Sequence, residues 1–287
     1  MKKNIVWLAS YPKSGNTWCR IFLANFLNNN NEPVDINHLE IGNIFSSRTI
    51  IEQQTGYDIS EFTADECDEL RSFAFEKLSS NANTNLFVKT HDAYLPLSDG
   101  KLMFPVNSTK AAIYFIRNPF DLSISFANHL THSIEKTIEK MCNEQFMLAA
   151  SVKKYNPQIR QKLLSWSGHV KSWTSQKHFP LLVVKYEDLH HDPYQEFLKI
   201  LAFLKIEYTE EKVRKAMENS SFEKLQKMEM ANGFKEKPYK CSTFFNVGKK
   251  GYYKEILKDS EIKKLVQFHS EVLINFGYLN QTGDILI

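Results

Sequence analysis

Four short runs of β-branched, aromatic and aliphatic residues set the terms on which this chain can fold: "NIVWLAS" from Asn4, "NLFVKT" from Asn85, "AAIYFIRN" from Ala111 and "LLVVKYED" from Leu181. Each is continuously apolar instead of alternating, the pattern of strands covered on both faces. Helical signals lie between and after them. In "TADECDELRSFAFEKL", Thr63 and Glu66 stand at capping-box spacing and Cys67, Leu70, Ala74 and Leu78 share a face. "HDPYQEFLKILAFL" offers Asp192 as a cap and Pro193 at the first helical position. "SEIKKLVQFHSEVLINFG" carries Ile262, Leu265, Val266, Val272, Leu273 and Phe276 on one stripe and stops at Gly277. Strands separated by helices imply an α/β fold, a parallel central sheet flanked by helices and wound in one right-handed sense. With 287 residues and 43% hydrophobic content, a single domain over residues 1–287 is expected. The stretch from about His129 to Asn156 reads as irregular and polar, a surface segment or part of a lid over residues 129–160.

The residues that follow each apolar run share a chemistry. In open parallel sheets ligands bind beyond the carboxyl ends of the strands, and here those ends are "YPKSGNTW", then Lys89, Thr90 and His91, then Arg117 and Asn118, then Lys185, Tyr186 and Glu187. Cations, hydroxyls and one histidine describe a polyanion site with a titratable group in it. In the first loop Gly15 permits close backbone approach, and a helix starting near Asn16 presents free N–H groups and a positive dipole end. Lys13, Ser14 and Thr17 add donors. The order is P-loop-like but not that of an ATPase, because the lysine precedes the glycine by two residues and the upstream glycine is missing. P-loop kinases place an aspartate after a second strand to hold magnesium, whereas the second and third runs end in Lys89 and Arg117. Arg117 leaves its strand, Pro119 begins a helix and Ser125 follows two turns on, so both can face one anion.

These residues resemble the cytosolic, PAPS-dependent sulfotransferase family, whose members move a sulfuryl group from 3′-phosphoadenosine 5′-phosphosulfate (PAPS) to an acceptor hydroxyl or amine, leaving PAP. "YPKSGNTW" is similar to that family's 5′-phosphosulfate loop, "VKTHDAYLP" to its K-T-H segment, "FIRNPFDLSISF" to its R-N-P-x-D-x-x-x-S stretch, "VVKYEDLHHDP" to its Y-E-D segment and "SWSGHVKSW" to its W-x-x-H-V-x-x-W helix. Order and spacing hold from about residue 4 to residue 254. The resemblance implies a sulfotransferase fold and that Lys13, Ser14, Gly15, Asn16 and Thr17 hold the 5′-phosphate and the transferred group. It implies further that Trp18, Tyr186, Ser220 and Phe222 form the adenine pocket, that Arg117 and Ser125 bind the 3′-phosphate, and that His91 is the base. The carboxyl-terminal "NVGKKGYYK" departs from the family's R-K-G-x-x-G-D-W-K: Asn246 and Val247 replace two cations, while Gly248, Gly251 and Lys254 match. Lys249 or Lys250 is expected to restore the lost charge. The family's dimerisation segment is not present, which leaves a homodimer open.

Sulfuryl transfer needs a base for the acceptor proton, a cation at the bridging oxygen and a clamp on the nucleotide. A histidine after a strand is commonly just a polar packing residue, but beside Lys89 the base role suits His91, since an imidazole is neutral near pH 7 and still accepts a proton. Lys13 suits the bridging oxygen, with Lys89 assisting. No metal is expected; His129 and His132 have helical spacing but no evident third ligand. The acceptor is expected to be a small molecule whose walls come from residues 38–60, 92–108 and 129–160. Phe45, Tyr57, Tyr94, Phe104 and Phe126 are candidates that equally suit a core. Competing readings are a P-loop kinase, for which magnesium ligands are lacking, and a nucleotide-binding protein without catalysis, against which Lys13 and His91 speak. The 36 basic and 33 acidic residues leave a formal charge of +3, too little to imply a nucleic-acid surface. Cys19, Cys67, Cys142 and Cys241 stand apart without a C-x-x-C pair, the opening lacks a signal-peptide core, and no run of roughly 18 apolar residues occurs, so a cytoplasmic protein without a membrane span is expected.

Overall fold

The computed structural model describes residues 2–28, 32–39, 41–151, 156–246, 248 and 250–287. In chain order its elements are β1 (Ile5–Ser10), α1 (Asn16–Leu27), β2 (Asn43–Ile44), α2 (Arg48–Thr55), α3 (Ala64–Asn81), β3 (Leu86–Thr90) and β4 (Thr109–Ile116). There follow α4 (Pro119–Leu130), α5 (Ile134–Met141), β5 (Met147–Leu148), β6 (Gln161–Lys162), α6 (Trp166–Ser175), β7 (Leu181–Lys185) and α7 (Tyr186–His191). The chain closes with α8 (Pro193–Leu204), α9 (Glu210–Asn219), α10 (Phe222–Asn232), α11 (Tyr253–Ile256) and α12 (Asp259–Asn275). Five strands form one sheet in the order β2-β3-β1-β4-β7, and β5 and β6 form a separate antiparallel ribbon. β1 runs parallel to β3 with Ile5 opposite Leu86 and Ala9 opposite Thr90, and β2 runs parallel to β3 with Ile44 opposite Lys89.

The four apolar runs are therefore strands β1, β3, β4 and β7. Every residue of β1 is buried, as a central strand with two covered faces requires, whereas β7, at the end of the strand order, is half-buried along most of its length. The capping box is present at α3: Thr63 Oγ1 accepts from Glu66 N and the Glu66 carboxylate accepts from Thr63 N. Asp192 caps α8, with Pro193 at its first position.

Residues 129–151 are less irregular than the sequence suggests. Ser133 caps α5, which buries Thr137, Ile138 and Met141 on one side; two turns with a single narrow stripe are too short to stand out as a helical period. Of the proposed lid segment, residues 152–155 lie outside the described residues. The Y-E-D segment also differs from a simple strand exit, because Tyr186–His191 coils at once into α7, and Asp192 both ends α7 and starts α8.

The chain divides into two compact units. The first comprises residues 1–11, 41–114 and 144–183, and the second residues 12–40, 115–143 and 184–287. In the first unit Trp7 is fully buried and meets Phe45 and Phe104 edge-on at 4.8 and 5.0 Å, while its Nε1 donates to Thr109 Oγ1 at 2.9 Å. Phe45 and Phe104 are thereby core residues, Tyr94 packs on Phe104 at 5.3 Å, and Tyr57 is exposed. In the second unit Ile21, Ile36, Leu225, Phe234 and Phe245 form a cluster against which Trp18, Phe222 and Phe244 pack.

Candidate active site

In the first unit β3 ends at Thr90, and the residues after it are pinned from several sides. Lys89 is a buried strand residue opposite Leu8 and Ile44. His91 is half-buried, with Nδ1 2.8 Å from Ser10 O and 3.3 Å from Ser10 Oγ. A carbonyl oxygen only accepts, so Nδ1 carries the proton and donates; the neutral ring then keeps its lone pair on Nε2. That is the tautomer a general base needs. Asp92 is buried, and its carboxylate accepts from Arg71 Nη1 at 2.8 Å, Arg71 Nη2 at 3.2 Å and Lys162 N at 3.0 Å. Arg71 is fully buried and binds Asp68 as well, at 2.8 Å, and Arg160 donates to Asp68 and Asp65. A buried guanidinium between two carboxylates holds the Asp92 side chain more firmly than a surface ion pair would.

In the second unit the loop before α1 has an unusual backbone. Lys13 has φ 71° and Gly15 has φ 96°, with Ser14 between them outside that left-handed region. Alternation of this kind turns successive N–H groups toward one concavity, a shape that binds anions. Gly15 is the residue before α1, and a Cβ on it would stand 2.9 Å from Tyr186 Cδ2, so glycine is required by both the φ and the ring. Ser14 Oγ is buried with no hydrogen-bond partner, and a hydroxyl in that state is costly unless something accepts from it or donates to it. Asn16 and Thr17 are buried in the first turn of α1.

Cations surround this loop within the same unit. Arg117 Nη1 donates to Lys13 O at 3.2 Å, and the guanidinium lies 4.2 Å from the centre of the Tyr186 ring. Lys13 Nζ donates to Phe244 O at 3.3 Å and sits 3.4 Å above the Phe244 ring. Glu229 in turn holds that carbonyl's neighbours, accepting from Phe244 N at 2.7 Å and Phe245 N at 2.9 Å. Phe222 lies against Gly248, where a Cβ would come within 2.8 Å of the ring, and Trp18 meets Phe197 edge-on at 5.9 Å.

The structure thus brings Lys13, Ser14, Gly15, Arg117 and Tyr186 together, and Trp18 and Phe222 onto one cluster with Phe244. Ser125 is half-buried on α4, one face of which carries the buried Phe126. Ser220 is the residue after α9, and its hydroxyl donates to Ala216 O at 2.7 Å. Lys249 lies outside the described residues, while Lys250 is exposed. Three contributors were not assigned a role from the sequence. Ser10 sets the His91 tautomer through its backbone, which no side-chain pattern reveals. Asp121 accepts from Gly251 N at 2.8 Å and Tyr253 N at 2.9 Å, tying down the chain at residues 251–253; its place in R-N-P-x-D was the available signal. Glu187 accepts from Asn118 N at 2.9 Å, Asn118 Nδ2 at 2.7 Å and Tyr278 Oη at 2.8 Å.

Residues 3–277 match the family model described as the sulfotransferase domain. The chain belongs to the sulfotransferase family. Sulfotransferase 1B1 of Canis lupus familiaris is 29% identical over 231 residues, 78% of this chain and 67% of its own length. Flavonol 3-sulfotransferase of Flaveria bidentis is 24% identical over 284 residues, covering 94% of this chain and 82% of the plant protein. Among solved structures, mouse sulfotransferase SULT7A1 complexed with PAP superimposes with a TM-score of 0.61 at 19% identity, covering 95% of this chain and 86% of that one. At that identity the likeness speaks for the sulfotransferase fold, a parallel five-stranded sheet flanked by helices. Among the described residues no helix is long and apolar enough to cross a membrane, and no three His, Cys, Asp or Glu side chains form a metal-binding group.

Proposed function

We propose that this chain transfers a sulfuryl group from PAPS to a hydroxyl or amine of a small-molecule acceptor. The observation that carries the reading is the loop of Lys13, Ser14 and Gly15. Its backbone alternates into a left-handed, anion-binding turn, its buried Ser14 hydroxyl has no partner, and Arg117 lies against it. Family membership narrows the anion to a phosphosulfate. Lys13, Ser14, Gly15, Asn16 and Thr17 hold the 5′ end; Trp18, Tyr186, Ser220 and Phe222 border the adenine; and Arg117 and Ser125, with Gly248 and Lys249 or Lys250, take the 3′-phosphate.

PAPS supplies a sulfuryl group on a phosphate leaving group. His91, with Nδ1 committed to Ser10 O, takes the acceptor's proton at Nε2 as the new O–S or N–S bond forms and the bridging S–O bond breaks. Such a base is worth about 10²- to 10⁴-fold in rate. Lys13 meets the charge that develops on the bridging oxygen, for which its ammonium must leave Phe244 O, and Lys89 adds positive charge. Of the relatives named above, the plant enzyme alone carries an acceptor in its name, a flavonol, and the aromatic residues weighed as acceptor walls are largely core, so the acceptor class stays at small hydroxyl or amine compounds. Four free cysteines, three of them buried, suit a reducing, cytoplasmic setting.

Calorimetry tests the donor: PAP is expected to bind tightly, and ATP with magnesium weakly or not at all, whereas the reverse result ends the sulfotransferase reading. Transfer of label from PAPS to a panel of phenols, alcohols and amines then identifies the acceptor. His91→Ala should abolish transfer and keep PAP binding; full activity in that variant at neutral pH removes His91 from the base role.

A further inference from the structure

Helix α6 lays three side chains along the backbone just past β3. His169 Nε2 donates to His91 O at 3.1 Å, Ser172 Oγ accepts from Tyr94 N at 2.9 Å, and Trp173 Nε1 donates to Asp92 O at 2.9 Å. Positions 169, 172 and 173 fall on one face of the helix at the spacing that makes side chains neighbours. His169 and Trp173 are both fully buried. What distinguishes this buried histidine is where its two nitrogens point.

Both nitrogens are committed by their partners. His91 O can only accept, so Nε2 of His169 carries the proton; Nδ1 must then accept, and Tyr114 Oη stands 2.8 Å from it as donor. Burial pushes the His169 pKa down to about 3 and lifts the Tyr114 hydroxyl well above its ordinary value. Both therefore stay neutral across the pH range in which a histidine base operates. The Tyr11 ring closes the remaining side edge-on at 5.4 Å.

We infer that His169 is a positioning residue for His91: its Nε2–H fixes the carbonyl of the residue that carries the base, so that the His91 imidazole keeps its Nδ1 proton on Ser10 O and its lone pair on Nε2. The inference rests on the reading of His91 as the base. Its physical content is rotation of one peptide. With the His91 carbonyl released, the 91–92 peptide turns, the Cα–Cβ direction of His91 follows, and the ring slides off Ser10 O. The ring then no longer has its proton fixed on Nδ1. Displacing a catalytic group by about 1 Å costs on the order of 10²-fold in rate.

The test compares His169→Leu, which removes the donor, with His169→Gln, whose amide can restore one, using His91→Ala as reference in the full chain. Three readouts are taken: turnover of PAPS with the phenol, alcohol and amine panel, calorimetric affinity for PAP, and the 15N shifts of the His91 ring, which report its tautomer. His169→Leu should lower kcat by about 10- to 100-fold with KM for PAPS unchanged, and should mix the two His91 tautomers. His169→Gln should recover most of the rate and the single Nδ1–H form. Wild-type kcat and an unmixed tautomer in His169→Leu overturn the inference. So does an equal loss in both variants accompanied by loss of PAP binding, which would mean a structural role only. If His91→Ala itself turns over at the wild-type rate, the base reading fails, and the 15N signature alone then decides whether His169 positions the ring.

Discussion

Two buried neutral histidines should make this protein lose stability on mild acidification, before its carboxylates respond. His169 and His269 are both almost wholly inaccessible to water, and burial lowers each pKa from 6.5 to about 3. Between those values the unfolded chain binds a proton at each position and the folded chain does not, so stability rises with pH and falls as pH drops. From pH 7 to pH 5 each histidine should remove about 2 kcal/mol, near the limiting slope of about 1.4 kcal/mol per pH unit. The two together remove about 4 kcal/mol if they add. Carboxylates held below their ordinary range, such as Asp35, Asp65 and Glu66, stabilise the fold above their unfolded pKa and lose that contribution only at lower pH. Urea unfolding at pH 7, 6 and 5 of the wild-type chain, His169→Gln and His269→Gln separates the contributions. Each variant will start less stable, but the gap from wild type should close by about 2 kcal/mol on going to pH 5. A gap that stays constant with pH would show that the imidazole takes up its proton without unfolding, and would refute the reasoning.

Two further outcomes follow for the proposed donor site. Gly15→Ala puts a Cβ 2.9 Å from Tyr186 at a φ of 96°, so it should cost about 1–2 kcal/mol of stability from the left-handed backbone alone, and PAP titration should show weaker binding; unchanged affinity would separate this turn from the donor site. Asp121→Ala leaves Gly251 N and Tyr253 N without their acceptor, and at about 1.5–3 kcal/mol for each bond to a charged group the segment should detach. Hydrogen exchange over residues 248–254 should rise and PAP affinity fall, and protection equal to wild type would refute the anchoring role.

Much of this was legible in the sequence because it is local. Continuous apolar runs gave the four longer strands, and Thr63 with Glu66, Asp192 with Pro193, and Gly15 before Asn16 marked helix starts where they occur. The two-residue strand β2 was not legible, since a pair of residues has no period, and α5 hid in a polar stretch for a related reason. The proposed site residues divide along the same line. Lys13, Gly15, Arg117 and His91 stand out as candidates by residue type and spacing. The tautomer of His91 does not, because it depends on a backbone carbonyl 81 positions earlier in the chain, and neither does the carboxylate of Glu229 holding the segment that receives Lys13.

The lysine that precedes its glycine explains itself in these terms. A side chain on the helix following an anion loop gets its direction from the helix, but Lys13 stands ahead of α1 in a left-handed conformation that disfavours a non-glycine residue by about 1–2 kcal/mol. Such a conformation persists only where the surroundings fix it. Here Arg117 holds its carbonyl, and Phe244 holds its ammonium from both ring and carbonyl. The two partners differ in what they do to charge: Arg117 holds the turn while bringing a positive charge against it, and Phe244 holds the ammonium without neutralising it, since a carbonyl and a ring face attract a cation but carry no net charge to cancel it. A carboxylate in the position of Phe244 would bind the lysine more tightly and cancel its charge. The Phe244 carbonyl is a neutral acceptor, so under the proposed role of Lys13 a doubly charged phosphosulfate end can compete with it for the ammonium.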